Sequence, residues 1–294
     1  EFKKIKNLKN SCFIVVSKSG NTLETIANFF SFFSQKMKGK IVFITEAKDN
    51  NLMKIGNEIN ADIIEHRDFI GGRYSVMSEV GMFPAALMGL KILNFKNLEK
   101  LINDKKFISS LIRNVASIYT LSLDGVKNSI FLNYDSRLND LCLWYQQLVG
   151  ESLGKKQKGI TPMPSNAPRD HHSILQLFLD GPKDKFFTFI TTEHSNMGLK
   201  ISDEISKAGI NFLANKKMGD LMEAEQRATI DTFKNNSFKI RNIFLPKINA
   251  KSIGKLMAVS IIETVAACRY LGVDPFNQPA VEEGKILTKK YLIN

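Results

Sequence analysis

The stretch CFIVVSKSGNTLETIANFFSFF, residues 12–33, decides the fold. CFIVV (12–16) is a continuous apolar run, the pattern of a strand buried on both faces. A polar turn, SKSGNT (17–22), follows it, and LETIANFFSFF then repeats apolar residues at helical spacing. Strand, turn and helix in that order predict a βα unit of a parallel sheet. IVFIT (41–45) and ADIIEH (61–66) read as the next two strands. Beyond them, KNSIFLNY (127–134), FFTFIT (186–191) and IRNIFLP (240–246) read as strands of a second run. SRLNDLCLWYQQLVGESLGK (136–155) reads as a helix with Leu138, Leu141, Cys142, Tyr145, Leu148 and Val149 on one side. AKSIGKLMAVSIIETVAACRYLG (250–272) is a long, largely apolar helix ending at Gly272, a suitable C-terminal cap. After the break at Asp274-Pro275, PAVEEGKILTKKYL (279–292) makes a last amphipathic helix, with Pro279 suited to its first turn.

The expectation is therefore an α/β chain in two parts. The charged segment NFKNLEKLINDKK (94–106) divides them, giving an N-terminal domain at 1–95, a C-terminal domain at 96–273 and a helical segment at 274–294. The first run is short for a complete α/β domain, and the chain begins at Glu1 rather than Met, so missing N-terminal sequence is expected.

Composition narrows the class. With 294 residues and 44% hydrophobic residues the chain can bury large cores, and nothing in it indicates disorder. No apolar run is long enough to span a bilayer, and no secretory signal is visible. The net charge of +12 is spread along the chain without a basic run interleaved with aromatics, so neither nucleic acid nor membrane is expected as a partner. The three cysteines, Cys12, Cys142 and Cys268, lie inside apolar runs without metal or disulfide spacing, which predicts buried reduced thiols in a cytosolic protein.

Five clusters carry potential chemistry. In Ser17-Lys18-Ser19-Gly20-Asn21-Thr22, backbone N–H groups, a helix dipole and three hydroxyls can attract a phosphate, and Gly20 permits close approach. A plain turn, with Asn21 and Glu24 capping the helix, is the alternative. In Gly71-Gly72-Arg73-Tyr74-Ser75, two glycines could allow an unusual backbone that aims a guanidinium inward, towards a developing oxyanion; otherwise this is a turn with a surface arginine. Gln147 and Glu151 are four apart and share a helix face, although most helical glutamates are solvated. Asp170-His171-His172-Ser173 holds two of the four histidines; adjacent residues diverge and no third ligand is evident, which favours acid–base work over metal. Gln278 and Lys285 are seven apart, two helical turns, and can face one pocket, or else lie on a solvated face.

Taken together and in this order, these stretches resemble phosphoglucose isomerase. The matching segments are VVSKSGNTLETI (15–26), GGRYSVMSEVGMFPAAL (71–87), LWYQQLVGESLGK (143–155), DHHSILQLFLDGP (170–182) and DPFNQPAVEEGK (274–285). They cover nearly the whole chain. GGRYS and QLVGESLGK are highly specific to that family, while the SKSGNT loop is shared more widely among sugar-phosphate isomerase domains.

The resemblance implies two flavodoxin-like sugar-isomerase (SIS) domains with parallel sheets flanked by helices, the first domain incomplete, plus a C-terminal helix. It implies reversible isomerisation of glucose 6-phosphate and fructose 6-phosphate through a cis-enediol, in glycolysis and gluconeogenesis, in the cytoplasm, without metal or other cofactor. It also implies a homodimer with active sites between subunits. By the same resemblance, Ser17, Lys18, Ser19, Gly20, Asn21 and Thr22 form the phosphate loop. Arg73 lies beside the enediolate, Gln147 binds substrate and Glu151 is the base. His172 opens the ring, assisted by Lys285, which with Gln278 contacts substrate; His171 stands where the family often has glutamine. The family's additional glycine- and serine-rich phosphate loop has no counterpart before Ser17. Alternatives are a bifunctional glucose/mannose phosphate isomerase and a non-catalytic sugar-phosphate-binding SIS protein.

Overall fold

The computed structural model describes residues 10–33, 39–96 and 99–293. Residues 97 and 98 of the charged divider fall outside them. The chain separates into two units, Glu1–Lys96 and Asn97–Asn294.

Among the described residues the first unit holds three strands, β1 (Cys12–Val16), β2 (Lys40–Thr45) and β3 (Asp62–Glu65), all parallel in the order β1-β2-β3. The helices α1 (Leu23–Phe33) and α2 (Asn51–Glu58) return the chain between them. Phe29, Phe43 and Leu52 are buried at the centre, ringed by Val15, Ile26, Ile41, Ile55 and Ile63. Phe43, wholly buried, meets the Phe29 ring edge-on at 5.1 Å. Burying one such side chain stabilises the unit by about 1.5–3 kcal/mol. Asn50 caps α2 by accepting from Met53 N–H. After β3 come α3 (Glu79–Leu87) and α4 (Leu93–Lys96). Cys12 is exposed, contrary to the expected burial of all three thiols; it is the first residue of β1, and the rest of that strand is half-buried.

The second unit begins with α5 (Glu99–Ile102) and α6 (Lys105–Leu123), followed by β4 (Asn128–Asn133), α7 (Asn139–Leu153), β5 (Thr161–Asn166), α8 (Leu175–Asp180) and β6 (Lys185–Thr192). It ends with α9 (Met218–Asn235), β7 (Ile240–Leu245), α10 (Ala250–Leu271) and α11 (Glu282–Ile293). Its four strands are parallel in the order β5-β4-β6-β7. Strand side chains alternate between faces, so two cores form. Phe131 and Ile190 pack with Val115, Cys142, Tyr145, Val149, Leu256 and Cys268 on the side of α6, α7 and α10. Ile130, Leu132, Phe187 and Phe189 pack with Phe178 and Phe233 on the side of α8 and α9.

β5 escapes sequence reading because its segment, TPMPSN, carries two prolines. It is an edge strand. Residues on the odd side of the alternation, from Thr161 to Ala167, donate to β4, as in Thr161 N–H to Lys127 and Ala167 N–H to Asn133, so Pro162 and Pro164 cost no ladder bond. Gly272 closes α10 with φ +67°, in the left-handed region expected of a C-terminal cap. α11 buries none of its residues. No described helix is long and apolar enough to cross a membrane.

Candidate active site

The carboxyl ends of parallel strands are where α/β sheets bind ligands, because loops converge there and helix N-termini point outward. In the first unit, the turn 17–22 follows β1, residues 46–50 follow β2, and the segment from His66 follows β3, so all three share that edge.

The turn is tightly built. The Ser17 and Thr22 hydroxyl oxygens are 2.7 Å apart, Gly20 N–H donates to the Ser17 carbonyl at 3.0 Å, and Asn21 N–H reaches Ser19 Oγ at 3.3 Å. Gly20 has φ +67°, and a Cβ there would sit 1.8 Å from Asn50 Oδ1, so only glycine fits between turn and α2. Asn21 Oδ1 accepts from Asn51 N–H at 3.2 Å, tying the turn to the start of α2. Lys18 Nζ donates to the Asp68 carbonyl at 2.7 Å and lies 3.6 Å from Glu46, so its charge is already shared with protein oxygens. Ser19, Asn21 and Thr22 are exposed, presenting hydroxyls and an amide at the head of α1.

Arg73 is only 2% exposed, so it is not a surface arginine. The glycine pair achieves this differently from the expectation: Gly71 has an ordinary extended backbone (φ −67°), and residues Gly72–Met77 wind into a 3-10 turn that carries Arg73 inward. Its guanidinium carbon lies 5.2 Å from the Tyr74 ring centroid. Ser75 Oγ donates to the Gly72 carbonyl at 2.7 Å and Ser78 Oγ to the Ser75 carbonyl at 2.7 Å, and Ser78 then caps α3. Sequence reading passed over His66 and Glu79, whose side chains meet at the two ends of this segment. They are thirteen residues apart, with no periodicity to signal the pairing.

In the second unit, Gln147 and Glu151 do share a face of α7, and Gln147 Nε2 donates to Glu151 Oε1 at 2.9 Å. Glu151 sits in the last turn, where Lys155 Nζ donates to the carbonyls of Glu151 (2.9 Å) and Ser152 (2.6 Å), and the Ser152 carbonyl also accepts from Cys268 Sγ at 3.4 Å. Beside this helix end lies a cleft of about 520 Å³, lined by Glu151, Lys155, Asp274, Asn277 and Gln278 among others. Two of the anticipated residues, Glu151 and Gln278, thus line one cleft, with Gln147 bonded to the first. Lys285 is exposed on α11, 2.7 Å from Glu282. It does not line that cleft.

The histidine pair diverges as adjacency requires. His171 turns inward, with Nε2 2.9 Å from the Tyr134 hydroxyl; burial, then the neighbouring His172, push its pKa below the ordinary imidazole value. His172 is exposed. Their turn, Arg169–His172, is held by Asp170, which accepts from Asn166 N–H (2.7 Å), Ser165 Oγ (3.0 Å) and Arg169 Nε (2.8 Å). Burial opposes the Asp170 charge, but these donors outweigh it and hold the carboxyl below its usual range.

Glu151 and His172 stand at opposite ends of the sheet. α7 starts at the carboxyl end of β4, where Asn133 Nδ2 donates to Asn139 Oδ1 (2.9 Å), and runs back to the amino end of β5, where Gln146 Nε2 donates to the Pro162 carbonyl (3.1 Å). His172 follows the carboxyl end of β5. A strand of this length separates the two residues by roughly 15–20 Å. Among the described residues no group of three or more His, Cys, Asp or Glu could hold a metal ion.

Comparison with known proteins agrees in family. The family profile described as phosphoglucose isomerase matches residues 1–293. A glucose-6-phosphate isomerase of Methanocaldococcus jannaschii is 32% identical over 290 residues, covering 95% of this chain and 71% of that protein. A hypothetical protein of Thermus thermophilus superposes with a TM-score of 0.87 at 27% identity, over 99% of this chain and 74% of that one. A glucose-6-phosphate isomerase of Chlamydia trachomatis superposes with a TM-score of 0.79 at 20% identity; this chain spans 60% of its length.

Proposed function

This chain belongs to the phosphoglucose isomerase family, and we propose that it catalyses the reversible isomerisation of glucose 6-phosphate and fructose 6-phosphate. The observation that carries the proposal is the Gln147–Glu151 pair at the end of α7, with Glu151 lining a cleft that Gln278 also lines. A carboxylate held by an amide at the mouth of a sugar-sized cleft can take a proton from one carbon and return it to its neighbour. A cis-enediol intermediate needs one base for both carbons, and Glu151 is assigned that work. The intermediate gains negative charge on oxygen; Arg73, permanently charged, stabilises it without exchanging a proton. The 17–22 turn holds the phosphate, so that remote binding energy positions the reacting carbons. His172 and Lys285 open the sugar ring, and Gln147 and Gln278 orient it.

A homodimer is part of the proposal. Because Glu151 and His172 of one chain lie at opposite ends of one sheet, a site using both draws them from two copies. The domain limits 1–95, 96–273 and 274–294 and a cytoplasmic location are proposed on family grounds.

The test is a coupled assay of hexose phosphate isomerisation. Glu151→Gln lowers kcat by about 10²–10⁴-fold while affinity for a sugar-phosphate analogue stays near parental. Near-parental turnover would refute the base assignment. Mixing Glu151→Gln chains with His172→Ala chains restores about one quarter of parental activity if sites are shared between two copies, since half the dimers are mixed and each carries one intact site. No recovery, with mixed dimers present, would place both residues in the same chain's site.

A further inference from the structure

The segment that carries Arg73 is fastened at both ends by one imidazole. His66, 1% exposed, follows β3 and hangs from β2 through its backbone N–H, which donates to the Thr45 carbonyl at 2.7 Å. Its ring Nε2 lies 3.0 Å from the Ile70 carbonyl, just before Gly71-Gly72. A carbonyl can only accept, so Nε2 carries a proton and donates. The other nitrogen, Nδ1, is hydrogen-bonded to Glu79 Oε1, at the first turn of α3. Burial alone would raise the Glu79 carboxyl, but its own backbone N–H, His66 and the Arg67 N–H hold it below the usual range, so it stands ionised at a helix N-terminus. The ring therefore bridges residue 70 to residue 79, and Arg73 lies in the loop so closed.

The loop needs that closure. Its interior is a 3-10 turn, whose bonds are short-range and weaker than those of an α-helix. Gly81 lets the Val76 carbonyl lie so close to α3 that a Cβ there would be 2.0 Å from the oxygen, which fixes one side of the turn. His66–Glu79 fixes the ends. We propose that His66 and Glu79 are positioning residues for Arg73, holding the 70–79 segment so that the guanidinium is presented in one orientation. The catalytic consequence rests on the reading of Arg73 as the group that meets the enediolate; the positioning itself does not.

The test therefore has two arms, both on the full chain. In the first, folded protein is treated with phenylglyoxal and modification of each arginine is followed by peptide mass spectrometry. Glu79→Ala and His66→Ala should each raise the rate at Arg73 by about tenfold or more, the effect of losing one charged hydrogen bond on local opening, while Arg241 stays at its parental rate. Glu79→Gln, whose side-chain amide can still hydrogen-bond the ring at Nδ1, should stay within about threefold of parental. An unchanged Arg73 rate in both alanine variants overturns the proposal. So does a rise at Arg73 and Arg241 together, which marks general destabilisation instead of a fastened loop. In the second arm, kcat falls in Glu79→Ala with KM nearly unchanged, and Glu79→Gln recovers most of it. Parental kcat in a variant whose Arg73 has become reactive overturns the catalytic part. If the parent chain does not isomerise hexose phosphates, the proposed function fails, while the arginine-reactivity arm still decides the positioning role.

Discussion

Replacing Glu263 with leucine should weaken the second unit more than any single change at the cleft. Arg241 on β7 donates from one guanidinium nitrogen to both Glu263 oxygens, at 2.7 and 2.9 Å, and from Nε to Thr188 Oγ1 at 3.2 Å; Asn114 on α6 donates to the same carboxylate at 3.3 Å. Both charged side chains are nearly buried, at 15% and 12% exposure. Burial opposes the guanidinium charge, but Glu263 and Tyr145 outweigh it and raise its pKa. Glu263→Leu strands that charge in a nearly buried site, a loss of about 3–5 kcal/mol. For a unit of this size, 1 kcal/mol moves Tm by about 2–4 °C, so a fall of roughly 6–20 °C is expected. The cluster also links α7, through Tyr145, to α10, through Glu263, and these helices lead to Glu151 and Gln278 at the cleft. The assay is thermal melting followed by far-UV circular dichroism, with urea unfolding as a check. The double variant Arg241→Met with Glu263→Leu should recover most of the loss, because a buried pair and an apolar pair of similar volume are often equivalent. A single-variant fall under about 3 °C, or a double variant worse than the single, would show that the penalty is not one of an unpaired buried charge.

Gly20→Ala should destabilise the first unit by about 2 kcal/mol or more, since it combines positive φ with a collision at Asn50, and amide exchange in β1 and α2 should speed up accordingly; parental exchange would refute the close approach. Asp170→Asn should change the acid limb of stability. The folded carboxyl titrates below the unfolded one, so its stabilisation is complete above the unfolded value of about 3.9 and is lost as pH falls through the lower folded value. The Tm gap between parent and variant should thus be full at pH 7 and close in acid; a constant gap down to about pH 2 would contradict it.

What could be read in advance divides along physical lines. β1, β2, β4, β6 and β7 were legible because strands of a covered parallel sheet are continuous apolar runs, and the buried stripe of α7 was legible because 3.6-residue spacing survives in sequence. β5 was not, because TPMPSN violates strand composition; only its edge position, a property of the assembled sheet, makes the prolines harmless. The site shows the same division. Gln147 and Glu151 were paired from spacing alone, since four residues on a helix fix both the face and the distance. His66 and Glu79 obey no period: their meeting depends on β3 ending beside the 3-10 turn and on α3 starting where that turn ends. Local rules therefore find groups that one element holds, and miss groups that two elements bring together. Arg73 belongs to the second kind. The GG pair suggested unusual backbone, yet the observed burial comes from a 3-10 turn whose ends are tied by residues outside the motif. A motif can therefore mark which arginine matters while the residues that aim it lie beyond its limits, and substitutions there should change how Arg73 acts without altering any residue that the motif contains.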